Sequence, residues 1–271
     1  MPELPEVESV VRALHPDLTG HRVTAIRVHT HNLRKMVDTA TLQQHVLHRT
    51  IQGVRRRAKW PGLVFPDGVL WMHLGMTGQI MVGADTPPGP HDHIDLVLDT
   101  GVIVRFHDPR RFGMVVWTEG ADSEPPSETL GVEPLGPAFT VEHLRAGLQR
   151  SKKAIKPLLM DGKIVAGVGN IYASEVLFQA QIHPDTPANT LPLKKVKALR
   201  LAIVDILTRA IAAGGSTLRD YRKPDGSVGS AQLLHRVYGH GDEPCTVCGT
   251  PISTGVHAGR ATFWCSKCQK R

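Results

Sequence analysis

Four cysteines stand near the end of this 271-residue chain as two pairs, Cys245-x2-Cys248 and Cys265-x2-Cys268, with 16 residues between the pairs. Each C-x2-C pair can offer two thiolates from one tight knuckle, and four thiolates complete a tetrahedral sphere around one zinc ion. Such a sphere has no open position for water, so the expected Zn2+ is structural. No export signal precedes these cysteines, which favours metal ligation over disulfides. Between the pairs, Ile252–Trp264 reads as two short strands around the tip His257-Ala258-Gly259-Arg260, which would present Arg260 outward. The end of the chain is therefore expected to fold as a metal-held hairpin.

The remaining length suits one large or two modest domains, and 41% hydrophobic residues are enough for real cores. No apolar run of about 18 residues and no signal peptide appear, so the chain reads as a cytoplasmic protein without a membrane partner. Its formal charge is +7, from 32 basic and 25 acidic residues. The charge is uneven: residues 1–144 hold 13 Lys/Arg against 17 Asp/Glu, and residues 145–271 hold 19 against 8. A polyanion would be gripped mainly by the second half. Basic charge alone is equally compatible with ordinary solubility.

The opening Met1-Pro2-Glu3-Leu4-Pro5-Glu6-Val7-Glu8 carries a second chemical signal. Proline in second place favours removal of the initiator methionine, which would leave Pro2 with a secondary amine. An α-amino group has a reference pKa of about 7.7–8.0, so a useful fraction is unprotonated at neutral pH. Attack of such an amine on a sugar C1′ gives an iminium, an electron sink of the kind lysine Schiff bases provide. Glu3 beside it could move protons. Pro5, Glu6 and Glu8 suit the first turn of a helix, and Val7, Val10, Val11 and Leu14 give that helix one apolar face. The same residues also read as an ordinary Pro/Glu-rich helix start.

Strand-like composition follows over Arg22–His29, Ile51–Phe65, Val69–Val82, His93–Leu98, Val102–His107 and Met114–Trp117, with a second helix near Val37–Leu47. The fold class is α+β: an N-terminal antiparallel β sandwich with flanking helices, then a helical domain ending in the zinc hairpin. The expected divisions are 1–118 for the sandwich, 119–139 for a Pro/Glu/Ser/Gly-rich linker, 140–236 for the helical domain and 237–271 for the zinc finger. Helices are expected over Val141–Gln149, Ile155–Met160, Asn170–Ala180 and Leu193–Ala213, and 214–231 reads as a glycine- and serine-rich loop. In Gly167-Val168-Gly169-Asn170 the glycines allow close backbone approach and Asn170 is a good N-cap. A helix start of this kind serves either as a phosphate site or as a plain cap. Lys152, Lys153 and Lys156 nearby read either as added charge for that site or as a solvated face.

Taken together, MPELPEVE, HLGMTG (73–78), HDHIDL (91–96), DPRRFG (108–113), GVGNIYASE (167–175) and the terminal C-x2-C…HAGRATFWC-x2-C resemble the formamidopyrimidine-DNA glycosylase family. The resemblance runs from end to end. It implies a bifunctional DNA glycosylase and AP lyase of base excision repair that removes 8-oxoguanine and ring-opened purines. Its partner would be damaged double-stranded DNA, and its helical domain would be of the helix-two-turn-helix type. Pairing of the domains would leave a cleft for bent DNA. No redox or nucleotide cofactor is expected, and the protein is read as a monomer. The related enzymes that prefer oxidised pyrimidines usually begin Pro-Glu-Gly-Pro, so Leu4 favours the purine branch.

Site roles carry over by position. The resemblance makes Pro2 the nucleophile, Glu3 the general acid/base, Lys59 a phosphate contact and proton donor in β-elimination, and Arg260 a phosphate clamp implicated in δ-elimination. A guanidinium is always protonated, so clamping is the firmer part of the Arg260 role. Phe112 would wedge the kinked step, Met76 would fill the space left by the flipped base, and Arg110 would hydrogen-bond the orphaned cytosine. His73, His91, Lys152, Lys156, Asn170 and Tyr238 would touch the DNA backbone. Glu6 would order the site, and Arg219 would lie in a lid. One departure is His240, where the family commonly has Arg or Lys; a histidine there would either weaken one backbone contact or make it pH-sensitive. Two alternatives remain: the pyrimidine-preferring relative, and a zinc-ribbon DNA-binding scaffold without catalysis.

Overall fold

The structure is a computed structural model that describes residues 2–127, 129–216, 224, 226–227 and 229–270. It divides into two compact units, one of residues 1–127 with 213–230 and one of residues 128–212 with 231–271. Arg219 lies outside the described residues.

The first unit opens with helix α1 (Leu4–Leu18), which starts at Glu3 and buries Val7, Val10, Val11, Leu14 and Leu18. Strand β1 (Val23–Val28), the short helix α2 (Thr39–His45) and seven further strands follow: β2 (Gly53–Arg57), β3 (Trp60–Phe65), β4 (Gly68–His73), β5 (Gln79–Gly83), β6 (Asp92–Leu98), β7 (Ile103–His107) and β8 (Met114–Glu119). They form two antiparallel four-stranded sheets, ordered β1-β6-β7-β5 and β2-β3-β4-β8. Leu63, Phe65, Leu70 and Met72 from one sheet and Ile80, Ile94, Leu96, Val104 and Phe106 from the other share one core with the apolar face of α1. This is the expected antiparallel sandwich, and α1 belongs to its core.

The Val69–Val82 stretch is not one strand. It breaks at Leu74–Gly78, where the Gly78 N–H donates to the Leu74 carbonyl at 2.7 Å. Beyond the break the chain enters the other sheet as β5. Ile51–Phe65 likewise folds back on itself, with Arg57 paired to Trp60 across the turn Ala58-Lys59. The hairpin needs Ala58 at φ +53, a region that L-residues other than glycine enter at some cost.

A buried ion network ties β6 to β7. Asp95, fully buried, takes two hydrogen bonds from Arg105, Nε at 2.7 Å and Nη2 at 2.8 Å. His29 joins it at 3.0 Å, and Arg105 also reaches Asp92 at 3.2 Å. In the HDHIDL motif these carboxylates are thus parts of the scaffold.

In the second unit, α3 (Val141–Gln149), α4 (Ile155–Met160), α5 (Asn170–Gln179) and α6 (Leu193–Ala212) precede the hairpin β9 (Ser253–His257) and β10 (Arg260–Trp264). Helix α5 is buried on nearly every side from Ile171 to Phe178, and α6 buries the stripe Val196, Leu199, Ala202, Ile203, Ile206, Leu207 and Ala210 against it. Among the described residues no helix is long and apolar enough to cross a membrane.

Removing one partner of a buried ion pair leaves the other charge uncompensated, at a cost of about 3–5 kcal/mol. Asp95→Ala is therefore expected to lower unfolding stability by that order, measured by urea denaturation, whereas truncating the exposed Asp85 should change it far less, since an exposed pair adds little.

Candidate active site and zinc centre

Pro2 and Glu3 are both buried at the start of α1. The Glu3 N–H donates to Glu6 Oε2 at 2.8 Å, half of a reciprocal capping box at the positive end of the helix. The other Glu6 oxygen, Oε1, accepts the Ser216 N–H at 2.6 Å. One carboxylate therefore holds both the residue after Pro2 and the backbone that follows the last helix. Gly215 makes this possible: it sits at φ +75, and a Cβ there would lie 3.0 Å from the Glu6 Cα.

Lys59 occupies the β2–β3 turn, half-buried. The three arginines before it are each matched by an acid: Arg55 with Asp122 at 3.9 Å, Arg56 with Glu8 at 2.8 Å, and Arg57 with Glu124. Arg56 and Arg57 are thus held in close pairs, whereas the firmer contact of Arg55 is its Nη2 donation to the Ser123 carbonyl at 2.6 Å. Trp60, next to Lys59, holds the ring of His73 at a centroid distance of 4.8 Å. The Gly75 N–H donates to His73 Nδ1 at 3.1 Å. Burial, helped by the nearby charges of Lys59 and Arg34, pulls the His73 pKa down from 6.5 to about 4. His73 is consequently a neutral imidazole at neutral pH.

The loops 74–78 and 108–113 are built together around the fully buried Asp108. Its Oδ1 accepts from Thr77 Oγ1 at 2.7 Å and from the Arg110 N–H at 3.2 Å, and its Oδ2 accepts from the Gly113 N–H at 2.7 Å. Gly75, at φ +57, passes so close that a Cβ would lie 2.6 Å from the Phe112 carbonyl carbon. The outcome is a loop pair carrying Met76, Arg110 and Phe112 together. Phe112 is 44% exposed, and the Arg110 guanidinium lies 4.9 Å above its ring. His91 is exposed beside them, its carbonyl accepting the Asp108 N–H at 2.9 Å.

In the second unit, Asn170 is not the N-cap that its sequence position implies. Gly169 takes that place, and Asn170 is the first helical residue. Its side chain is engaged elsewhere: Oδ1 accepts from Lys156 Nζ at 2.7 Å, and Nδ2 donates to the Ala261 carbonyl at 3.0 Å. Lys156 is fully buried rather than part of a solvated face, and its ammonium also donates to Thr262 Oγ1 at 2.7 Å. These bonds lock the start of α5 to β10, whose first residue, Arg260, is exposed at the hairpin tip. Lys152 is exposed.

Glu175, 4% exposed on α5, accepts backbone N–H groups from Arg236 at 2.9 Å, Val237 at 3.0 Å and Tyr238 at 2.8 Å. Burial raises its pKa against the opposing pull of these three donors. It fixes the turn that carries Tyr238, whose ring packs on Phe263 of β10 at 5.1 Å. His240 pairs with Glu243 at 2.8 Å. Sequence reasoning missed the organising roles of Asp108 and Glu175. Each had a signal: an Asp-Pro turn start, and a lone carboxylate in an otherwise apolar helix.

The four cysteine sulfurs all lie within 4.8 Å of one another, with Cys245–Cys268 at 3.9 Å and Cys248–Cys265 at 3.4 Å. A tetrahedron with zinc–sulfur bonds of about 2.3 Å has edges of about 3.8 Å, so the cluster fits one structural zinc ion. Gln269 anchors the knuckle, accepting from the Cys265 N–H at 2.9 Å and donating to the Ile182 carbonyl at 2.8 Å.

Two outcomes follow from this geometry. Unfolded His73 protonates near its ordinary 6.5 while the folded residue stays neutral to about 4, so stability is complete above the first value and falls as pH drops through that window. Between pH ~7 and pH ~5, His73→Asn should lose about 2 kcal/mol less stability than the parent protein in urea denaturation; equal losses would contradict the assignment. Stripping zinc with a chelator should lower the Tm and release about one equivalent of metal, because a closed thiolate site contributes folding energy.

Comparison with known proteins agrees across the chain. Residues 1–115 match the formamidopyrimidine-DNA glycosylase N-terminal domain, residues 130–222 the H2TH domain of the same enzymes, and residues 242–271 a zinc finger found in FPG and IleRS. The formamidopyrimidine-DNA glycosylase of Cronobacter sakazakii is 46% identical over 272 residues, covering 100% of both chains. That of Escherichia coli O6:K15:H31 is 44% identical over 271 residues, again covering 100% of both. Among solved structures, the Fpg protein of Thermus thermophilus superposes with a TM-score of 0.88 at 39% identity, covering 99% of this chain and 98% of that one. Lactococcus lactis Fpg in complex with DNA containing an abasic site gives 0.91 at 33% identity, covering 99% and 100%. The chain belongs to the formamidopyrimidine-DNA glycosylase family.

Proposed function

We propose that this protein is a DNA glycosylase and AP lyase of base excision repair, acting on oxidised purines in duplex DNA through the amine of Pro2. The observation that carries this reading is the seating of Pro2 and Glu3 in a buried helix start, with Glu6 bonded to both the Glu3 and Ser216 amides. A chain start usually frays unless it is tied down in this way.

The chemistry assigns one task to each group. With Met1 removed, the Pro2 nitrogen attacks C1′ and the base departs with the glycosidic bond's electron pair, protonated as it leaves. Glu3, the residue after Pro2, serves as proton carrier, opening the sugar ring and later returning protons. The resulting iminium acidifies C2′. Loss of a C2′ proton expels the 3′ phosphate, and a second elimination expels the 5′ phosphate, leaving a one-nucleoside gap with phosphate at both ends. Lys59 supplies charge and a proton near the lesion phosphate, and Arg260 clamps phosphate from the hairpin tip. The zinc ion holds that hairpin and takes no part in the steps.

A base inside the stack cannot be reached by the amine, so the damaged nucleotide is flipped out. The Asp108-centred loops support Phe112 as the wedge, Met76 as the filler and Arg110 as the partner of the orphaned cytosine. An aromatic side chain held at 44% exposure beside a guanidinium is what such an insertion needs. His73, His91, Lys152, Lys156, Asn170 and Tyr238 are proposed backbone contacts; Lys156 would act by fixing Asn170 and the hairpin, since its ammonium is already bonded to both. The relatives named above are bacterial enzymes, and we place the activity in the bacterial cytosol, where the DNA is.

Borohydride trapping on an 8-oxoguanine:cytosine duplex tests this reading. A covalent protein–DNA adduct is expected, lost in Pro2→Gly. Stronger trapping on a thymine-glycol duplex would move the protein to the pyrimidine branch. Tight duplex binding with no adduct on either would overturn the catalytic reading.

A further inference from the structure

We infer that Arg56 is a positioning residue for Lys59, fastening the hairpin that carries the lysine to the helix that begins beside Pro2. The Arg56 side chain is 10% exposed, and its Nε donates to Glu8 Oε2 at 2.8 Å. Its Nη1 donates to the carbonyl of Ala58 at 3.0 Å. Glu8 stands on α1, and Ala58 is the residue immediately before Lys59. One rigid, planar cation therefore spans the helix and the turn.

The turn needs this support. Ala58 lies in the left-handed region at φ +53, which a residue with a Cβ occupies only where its surroundings hold it there. The Arg56 bond to the Ala58 carbonyl is such a hold, and it fixes the peptide leading into Lys59. Lysine places its charge at the end of a flexible four-carbon stem, so its reach depends on where the backbone starts it. The anchor is ionised at neutral pH: burial opposes the charge on Glu8, but the guanidiniums of Arg56 and Arg12 outweigh it and hold the carboxyl below its usual range. Arg12 reaches Glu8 from the exposed side of the same helix. Arg55 and Arg57 pair instead with Asp122 and Glu124, after β8. The bond to α1 and the bond to the turn both belong to Arg56.

The inference rests on the proposed role of Lys59, and the test separates the two. Strand scission is measured on an abasic-site duplex for Arg56→Gln, Lys59→Ala and the double variant. Arg56→Gln should lower the scission kcat roughly ten- to a hundredfold, as misplacement of a catalytic group does, with KM little changed. Arg56→Lys should recover part of the rate, since an ammonium reaches Glu8 or the Ala58 carbonyl but not both. The double variant should be no slower than Lys59→Ala alone, because the two residues act as one unit. Additive losses, or wild-type scission by Arg56→Gln, would show that Arg56 does not act through Lys59 and overturn the proposal. Wild-type scission by Lys59→Ala would overturn the reading of Lys59, and this inference with it. If Arg56→Gln shows no cooperative melt, Glu8→Gln replaces it in the same cycle, with the same non-additivity expected.

Discussion

The Glu6 carboxylate is the constraint on which the candidate catalytic end of this molecule depends. Its two oxygens accept backbone N–H groups from residues more than two hundred positions apart in the chain, Glu3 and Ser216. A carboxylate at a helix start is favoured by the dipole, and each charge-assisted bond to an amide is stronger than a neutral one. The bonds convert a chain terminus, by default a mobile element, into a fixed one. A nucleophile at a terminus is useful only when that conversion has been made.

The same device recurs. Asp108 holds the loops of Met76, Arg110 and Phe112 by accepting from Thr77, Arg110 and Gly113, and Glu175 holds the turn of Tyr238 by accepting three consecutive backbone amides. In each case a buried carboxylate accepts backbone N–H groups of a segment and so fixes the path of that segment. Burying a charge is unfavourable unless it is fully hydrogen-bonded, so each loop has few alternatives to its observed shape. Rigid loops suit insertion into a stacked duplex, where a flexible wedge would lose the energy of unstacking to its own disorder.

Basic charge is arranged with comparable economy. In the run Arg55-Arg56-Arg57, Arg56 pairs with Glu8 and Arg57 with Glu124, while Arg55 reaches the exposed Asp122 only loosely, at 3.9 Å. Lys156 is buried as a strut between α5 and β10. Lys152 and Arg260 remain exposed. Net charge therefore overstates the surface available to a polyanion, because part of it is buried in pairs and struts.

Much of the molecule was legible before any coordinates. The zinc site followed from spacing, because two C-x2-C knuckles can satisfy a tetrahedral ion with little else. The helix at Val7–Leu14 and the hairpin expected over Ile252–Trp264, seen as Ser253–His257 and Arg260–Trp264, followed from periodicity and turn chemistry, which are local properties. The break at Leu74–Gly78, the N-cap at Gly169 in place of Asn170, and the burial of Lys156 did not follow. Each depends on a partner far along the chain: Phe112 for Gly75, Ala261 for Asn170, Thr262 for Lys156. The sequence by itself determined the chemical types present and the local elements that carry them, since periodicity, capping and ligand spacing act over a few residues. Only the tertiary structure decided which carboxylates became anchors and which cations stayed exposed, because burial and long-range pairing are set by what the fold brings alongside.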